Sequence, residues 1–518
     1  MSKDQFNPLK NFNHDLPASI VVFLVALPLC LGVALASGAP LFAGIIAGVV
    51  GGIVVGSISG SALSVSGPAA GLTTIVLSSI TTMGSFEAFL TTVVLAGIIQ
   101  FILGVFKAGT IGNYFPSSVI KGMLAAIGLI LILKQIPHAI GYDKDFEGDE
   151  SFIQADGQNT FTEIVHAFGY INFGAVIVFA FSMLILIMWE RPAIKNHKFS
   201  TLLPAPLFVV ATGLLLNIIF LNAFPALAIE QEHLVSLPVA ESLGSFINQF
   251  ELPDFSVIGK KETWTIAFTI AIVASLESLL SIDAVDKLDP FKRTSPLSRE
   301  LKAQGIANAV SGLIGGLPVT AVIVRSSANV AAGARTRTSA VTHGLLLLLT
   351  ALFIPTFLNK IPLASLAAIL LMVGYKLAKP SLIRNMYLKG KDQFIPFAVT
   401  IIAILLTDLL IGITIGILVG LFFVLKTNFH RALFSVNENG NYLIRLTKDV
   451  SFLNKALLRQ TFKEIPDGAN VIIDGARSAF IDQDILETIN DFRESASNRD
   501  ISVELKQTVT AYNPFFRL

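Results

Sequence analysis

The chain has 518 residues, of which 53% are hydrophobic and 14% charged, with a formal net charge of +1. An ordinary soluble domain is roughly 25% charged. So little charge excludes a purely soluble protein, intrinsic disorder, a collagen-like or disulfide-rich scaffold, and a nucleic-acid binder. Between residues 17 and 136 the only Asp, Glu, Lys or Arg side chains are Glu87, Lys107, Lys121 and Lys134, whereas residues 437–518 are charged at an ordinary density. A membrane body carrying a soluble appendage accounts for both. Cys30, the one cysteine, forms no intrachain disulfide and identifies no redox compartment. The polar start, Met1 to His14, leads straight into successive apolar stretches, so no cleaved signal peptide is expected.

In chain order, apolar runs near the ~20 residues that a helix needs to cross a bilayer fall at 17–36, 40–58, 87–106, 117–136, 168–189, 202–222, 263–283, 339–357, 362–377 and 394–425. The last is too long for one crossing. Asp408 near its middle predicts two helices, because an ionised carboxylate is costly at lipid depth. Two shorter, interrupted segments at 66–82 and 318–333, with a more polar helix at 300–314, bring the expected spans to fourteen. With residues 1–16 in the cytoplasm, Arg191, Lys195, Lys198, Lys287, Lys292, Arg293, Arg299, Lys302, Arg335, Arg337 and Lys379 fall in inner loops, while the outer loops 137–167 and 223–262 are acidic. This is the positive-inside bias. It places both termini in the cytoplasm of a cell-membrane protein, with a transport body at 17–430 and a soluble domain at 437–518.

Residues 66–71 read Ser-Gly-Pro-Ala-Ala-Gly and residues 315–321 read Gly-Gly-Leu-Pro-Val-Thr-Ala, each opening the third span of a seven-helix half. Paired Gly/Pro-interrupted segments at matching positions point to an inverted-repeat transporter. A half-helix that starts at mid-membrane leaves free N–H groups and partial positive charge at its N-terminus, so two facing termini make an anion site. Arg325, seven residues past Pro318, adds positive potential there, unless it snorkels to the surface or pairs with a carboxylate. Glu277 lies inside the eighth span with Ser281 one turn later on the same face. The pair suits either Na⁺ ligation through oxygens or a proton carried by the carboxylate; the bland alternative is a structural partner for Arg325 or a helix end. Leu29 and Val33 follow Pro28 one turn apart and by themselves read as helix packing. His138, His166, His197, His233 and His343 show no metal spacing, so no metal cofactor is expected. Neither a phosphate-binding Gly-rich loop nor a Gly-x-Ser-x-Gly elbow is present, so ATP-driven transport and enzymatic activity are not expected.

Across nearly its whole length the chain resembles the SulP family of inorganic anion transporters. The resemblance rests on Ala26-Leu27-Pro28-Leu29 through Ala36-Ser37-Gly38, on Ser66-Gly67-Pro68, and on Leu276-Glu277-Ser278-Leu279-Leu280. It continues from Ala303-Gln304-Gly305 through Gly316-Leu317-Pro318-Val319-Thr320 to Arg325-Ser326-Ser327-Ala328-Asn329-Val330. It implies fourteen spans in a seven-plus-seven inverted repeat, with a core domain (spans 1–4 and 8–11), a gate domain (spans 5–7 and 12–14) and elevator-type movement between them. It implies an anion bound by Leu29, Val33, Ala69, Ala70, Gly71, Val319, Thr320, Ala321 and Arg325. Glu277 and Ser281, with Thr320 nearby, are implied as the cation-coupling site, for Na⁺ or H⁺. It also implies a homodimer.

In the tail, 442–447, 470–474 and 501–505 read as strands, and 452–463 and 485–495 as helices, which predicts a small α/β layer. It resembles the cytoplasmic STAS domain that follows SulP membrane bodies, although Asp482-Gln483-Asp484 stands where related domains carry a phosphorylated Ser. The expected protein is a cation-coupled symporter of sulfate or bicarbonate. The wording Leu-Pro-Leu-Cys-Leu-Gly, similar to members associated with carbonic anhydrase, tilts towards bicarbonate. The alternatives are an anion channel, against which Glu277 argues because a channel needs no coupling ion, an exchanger, a sensor with the tail as output, and a nucleobase permease of the same fold, against which the tail argues.

Overall fold

A computed structural model describes residues 8–144, 152, 159–195, 204–237, 239, 243–430, 433–438, 440–446, 450–478 and 480–506. Lys198, His197 and most of the acidic stretch of loop 137–167 lie outside the described residues. The chain divides into two compact units, Met1–Ile417 and Leu418–Leu518.

The apolar runs fold as expected into fourteen helical segments. The first seven are α1 (Pro8–Ala36), α2 (Leu41–Val50), α3 (Thr73–Met83), α4 (Phe86–Val105), α5 (Ser117–Ala139), α6 (Phe173–Trp189) and α7 (Ala205–Ala223). The second seven are α8 (Lys261–Leu288), α9 (Leu297–Leu313), α10 (Ile323–Ala331), α11 (Thr338–Phe353), α12 (Leu363–Leu377), α13 (Lys391–Leu406) and α14 (Leu409–His430). Among the described residues, seven helices are long and apolar enough to cross a membrane by length and composition: those at Asn11–Ala36, Leu41–Ile58, Phe86–Val105, Ser117–Ala139, Ala205–Ala223, Lys261–Leu288 and Leu363–Leu388. The run at 394–425 breaks between α13 and α14 at Asp408, whose Oδ1 accepts the Ile411 N–H at 2.8 Å. The third segment of each half is part strand: β1 (Ser66–Pro68) precedes α3 and β2 (Val319–Ala321) precedes α10. That is why both helices are short.

Without a hydrophobic force between helices in lipid, close packing relies on small residues. A Cβ on Gly97 of α4 would lie 2.4 Å from the Ala309 nitrogen of α9, and one on Gly128 of α5 would lie 2.6 Å from the Gly374 oxygen of α12. The second helix widens into a π turn at Gly51–Val55 before ending at Ile58. There the site of a Gly51 Cβ is 2.4 Å from the Ser66 oxygen, so the missing side chain admits β1.

After the end of α14, the second unit holds a four-stranded sheet in the order β3-β4-β5-β6, formed by Leu433–Glu438, Asn441–Leu446, Asn470–Asp474 and Ser502–Lys506. β3 pairs antiparallel with β4, and the two further pairings are parallel, crossed over by α15 (Lys455–Lys463) and α16 (Gln483–Ala496). The expected strands and helices are present with small shifts at their ends. β3 is an addition: its residues are exposed or half-buried, so no core-facing alternation marks it in the sequence. Asp482 serves as the N-cap of α16, accepting the Asp484 N–H at 3.2 Å.

Candidate functional site

β1 and β2 pair antiparallel, with Ser66 opposite Ala321, Gly67 opposite Thr320 and Pro68 opposite Val319. The Ala69 N–H donates to the Pro318 oxygen at 3.3 Å and the Val322 N–H to the Val65 oxygen at 3.0 Å, which extends the pairing at both ends. α3 is entered through a 3₁₀ turn at Ala70–Leu72 behind Ala69, and α10 starts behind Val322. Neither Ala69 nor Val322 supplies a side-chain cap. The first N–H groups of both half-helices therefore lack an intrahelical partner, and the partial positive charge of each terminus is uncapped. One short strand pair holds both ends.

The residues around this pair differ in what each offers. Leu29 and Val33 are buried on α1, which packs against α3, α10 and β1. Ala69, Ala70 and Gly71 form the entry to α3. Val319, Thr320 and Ala321 are β2 itself, and two of their N–H groups are already bonded: Val319 donates to Asn308 Oδ1 at 2.6 Å and Ala321 to Ser278 Oγ at 3.2 Å. The open main-chain donors lie one step on, at Ile323 to Arg325.

Arg325 is 1% exposed. It neither snorkels nor pairs with a carboxylate among the described residues. Its Nη2 lies 3.4 Å from Cys30 Sγ, and its Nε and Nη1 have no hydrogen-bond partner among the described residues. A Cβ on Gly67 would sit 2.0 Å from Nη1, so the guanidinium approaches β1 where only a glycine leaves room. A buried charge ordinarily has a partner; this one lies beside Gly67 of β1 instead.

Glu277 on α8 is buried, and its carboxylate lies against the α3 entry: a Cβ on Gly71 would be 3.3 Å from Oε2 and 3.5 Å from Oε1. Ser281 is buried one turn further along α8. Thr320 Oγ1 is fully buried without a hydrogen-bond partner among the described residues. Glu277 and Ser281 on α8 and Thr320 on β2 are thus buried oxygen-bearing side chains on elements that pack against each other. Among the described residues no group of three or more His, Cys, Asp or Glu is arranged to hold a metal ion.

Sequence reasoning passed over a polar stripe on α9. Glu300, Gln304, Asn308 and Ser311 recur every three or four residues, and all are buried. Glu300, a fully buried carboxylate, accepts from Gln304 Nε2 at 2.8 Å and from the Ser59 hydroxyl, and Gln304 Nε2 also donates to Ser66 Oγ at 2.8 Å on β1. Ser326 and Asn329 on α10 bind Val65 and Leu63 at 2.9 Å each, ahead of β1. Helical spacing of polar groups inside an apolar chain was the available signal.

A model of the sulfate permease family matches residues 12–400. The chain belongs to this family. It is an integral membrane protein, and the family's matched relatives are transporters rather than enzymes. This sulfate permease family member is 30% identical over 419 residues to "Putative sulfate transporter YvdB" of Bacillus subtilis (strain 168), covering 81% of the chain and 74% of the relative. It is 24% identical over 413 residues to the bicarbonate transporter BicA of Picosynechococcus sp., covering 78% of the chain and 68% of the relative. Its fold matches the transmembrane domain of a cyanobacterial BicA with a TM-score of 0.54 at 21% identity, covering 79% of this chain and 97% of that one. It matches the murine Slc26a9 anion transporter with a TM-score of 0.68 at 16% identity, covering 95% of this chain and 85% of that one.

Proposed function

We propose that this chain is a secondary active transporter of small inorganic oxyanions, sulfate or bicarbonate, coupled to a cation at Glu277 and Ser281. The observation that carries the reading is the pair of uncapped half-helix termini on one strand pair, backed by a buried guanidinium that no carboxylate among the described residues neutralises. Such a place is short of one negative charge, and a bound oxyanion supplies it. Main-chain donors at Ala70, Gly71 and Ile323 to Arg325 bind the oxygens, with Leu29 and Val33 walling the site. Glu277 stands beside the α3 terminus with Na⁺ as the preferred ion, because Ser281 and Thr320 add oxygens that simple protonation does not need. In this reading the core carries the site past the gate in an elevator-type movement, both termini face the cytoplasm of a homodimer, and the tail is a STAS-like module for assembly or regulation. Association with a carbonic anhydrase belongs to the bicarbonate version only.

The test is flux of sulfate and of bicarbonate into proteoliposomes under imposed Na⁺ and pH gradients. Gradient-driven accumulation of either anion supports the proposal. Conductive flux that ignores both gradients refutes coupling and favours a channel.

A further inference from the structure

β2 has two edges, and only one of them meets β1. In the dry interior of a membrane protein the groups on the other edge need partners as much as the first. A third strand would provide them; here side chains do. Asn308 on α9 covers both polar groups of Val319, accepting its N–H at Oδ1 (2.6 Å) and donating from Nδ2 to its oxygen (3.0 Å). The same Nδ2 donates to Gln100 Oε1 on α4 at 2.8 Å, which fixes the amide's orientation. Ser278 on α8 accepts the Ala321 N–H at 3.2 Å. All three side chains are buried.

These contacts sit at opposite ends of the strand. Val319 faces Pro68, where the chain turns into Ala69, Ala70 and Gly71 at the start of α3, and Ala321 leads into Val322 at the start of α10. We propose that Asn308 and Ser278 are positioning residues: Asn308 sets the α3 terminus and Ser278 the α10 terminus against the bound oxyanion, and together they tune which oxyanion shape fits. Only an amide mimics a strand edge in this way. Aspartate accepts from the Val319 N–H but cannot donate to its oxygen, and it brings negative charge towards an anion. Leucine keeps the shape and loses both bonds. Neither Asn308 nor Ser278 needs to touch the anion, and neither ligates the cation.

The inference rests on the proposed anion site, so the test separates the two. Sulfate and bicarbonate binding to the purified full-length protein is measured for wild type, Asn308→Ala, Asn308→Asp, Ser278→Ala and Ser278→Thr, alongside melting temperature and size-exclusion profile. Asn308→Ala and Ser278→Ala are expected to lower affinity about tenfold and to change the sulfate-to-bicarbonate affinity ratio. Asn308→Asp should lose more, recovering part of the loss as pH falls, and Ser278→Thr should restore most of the Ser278→Ala loss because it returns the hydroxyl. A role confined to stability lowers the melting temperature and leaves the ratio unchanged. If Asn308→Ala does not fold, the Ser278 pair carries the test alone. Monodisperse variants with wild-type affinity and ratio overturn the inference while the site stands; a wild-type protein that binds neither anion overturns the site and the inference with it.

Discussion

Adding carbon at Gly71 probes the point where the α3 entry and Glu277 meet. A methyl group there would lie 3.3 Å from Oε2, 3.4 Å from Cδ and 3.5 Å from Oε1 of Glu277. Ordinary contact is met or missed by a few tenths of an ångström, so Gly71→Ala moves the carboxylate slightly off its resting rotamer. A shift of that kind costs about 0.5–1.5 kcal/mol, or roughly two- to tenfold in cation affinity. Gly71→Leu is different: its further carbons need the space the carboxylate fills, and overpacking adds about 1–3 kcal/mol while the branched chain blocks main-chain approach to the anion. Gly259→Ala is the control, because no atom lies within 4 Å of its Cβ position. Anion binding to the purified variants, with and without saturating Na⁺, reads the result. We expect Gly71→Ala to weaken the Na⁺ effect, Gly71→Leu to abolish anion binding with membrane insertion intact, and Gly259→Ala to match wild type. Wild-type anion affinity in both Gly71→Leu and Thr320→Leu would refute the site assignment, and an unchanged Na⁺ effect in Gly71→Ala would detach Glu277 from it.

Arg325→Ala should weaken anion binding and Arg325→Lys should restore part of it, since Lys keeps the charge without the fork; binding by the alanine variant at wild-type strength removes the guanidinium from the site. Inward movement of an anion against a negative-inside potential costs about 2.3 kcal/mol per charge per 100 mV, so Glu277→Gln should keep anion binding or exchange and lose gradient-driven uptake, measured in proteoliposomes; uptake that still follows an imposed gradient rules out coupling at Glu277. Outside the membrane segments, Asp143 joins His138 Nδ1 at 2.5 Å to His233 Nδ1 at 2.6 Å. Burial pushes the Asp143 carboxyl up, but its hydrogen bonds to the two histidines prevail and hold it low, while the Asp143 bond lifts His233 above its ordinary 6.5 against burial. The His233 contribution to stability is therefore complete below 6.5 and lost as pH rises through the raised value; the Asp143 contribution is present above 3.8 and lost only as pH falls through the lowered one. The melting temperature of wild type in detergent should fall as pH rises above 6.5, and His233→Gln should flatten that slope; an identical slope in the variant dissolves the link.

The long apolar helices were legible because lipid demands continuous apolar runs. The two half-helices were legible because Gly and Pro interrupt such a run at Gly67-Pro68 and Gly316-Leu317-Pro318. Asp408 announced its break through the cost of a carboxylate among apolar residues. Contacts made across long separations were not legible. Nothing near Asp143 in the sequence names His233 as its partner, and nothing near Val319 shows that Asn308 and Ser278 take its strand's free edge. Arg325 was found because a lone charge stands out in an apolar run, but its bed against Gly67, Gly48 and Cys30 depends on three other segments. β3 escaped because an edge strand with little buried surface carries no alternating pattern.

The strand pair also limits how the two sides of the membrane can be reached. Drawing α3 away from α10 would break the β1–β2 ladder and expose main-chain groups where no water waits to receive them, at about 1–3 kcal/mol for each group left unpaired. The floor of the site therefore behaves as a single stiff tile, with α8 and α9 fastened to its outer edge through Ser278 and Asn308. A doorway cannot open by splitting that tile. Entry from one side and exit to the other must come from the walls around it, or from the tile travelling whole with everything pinned to it.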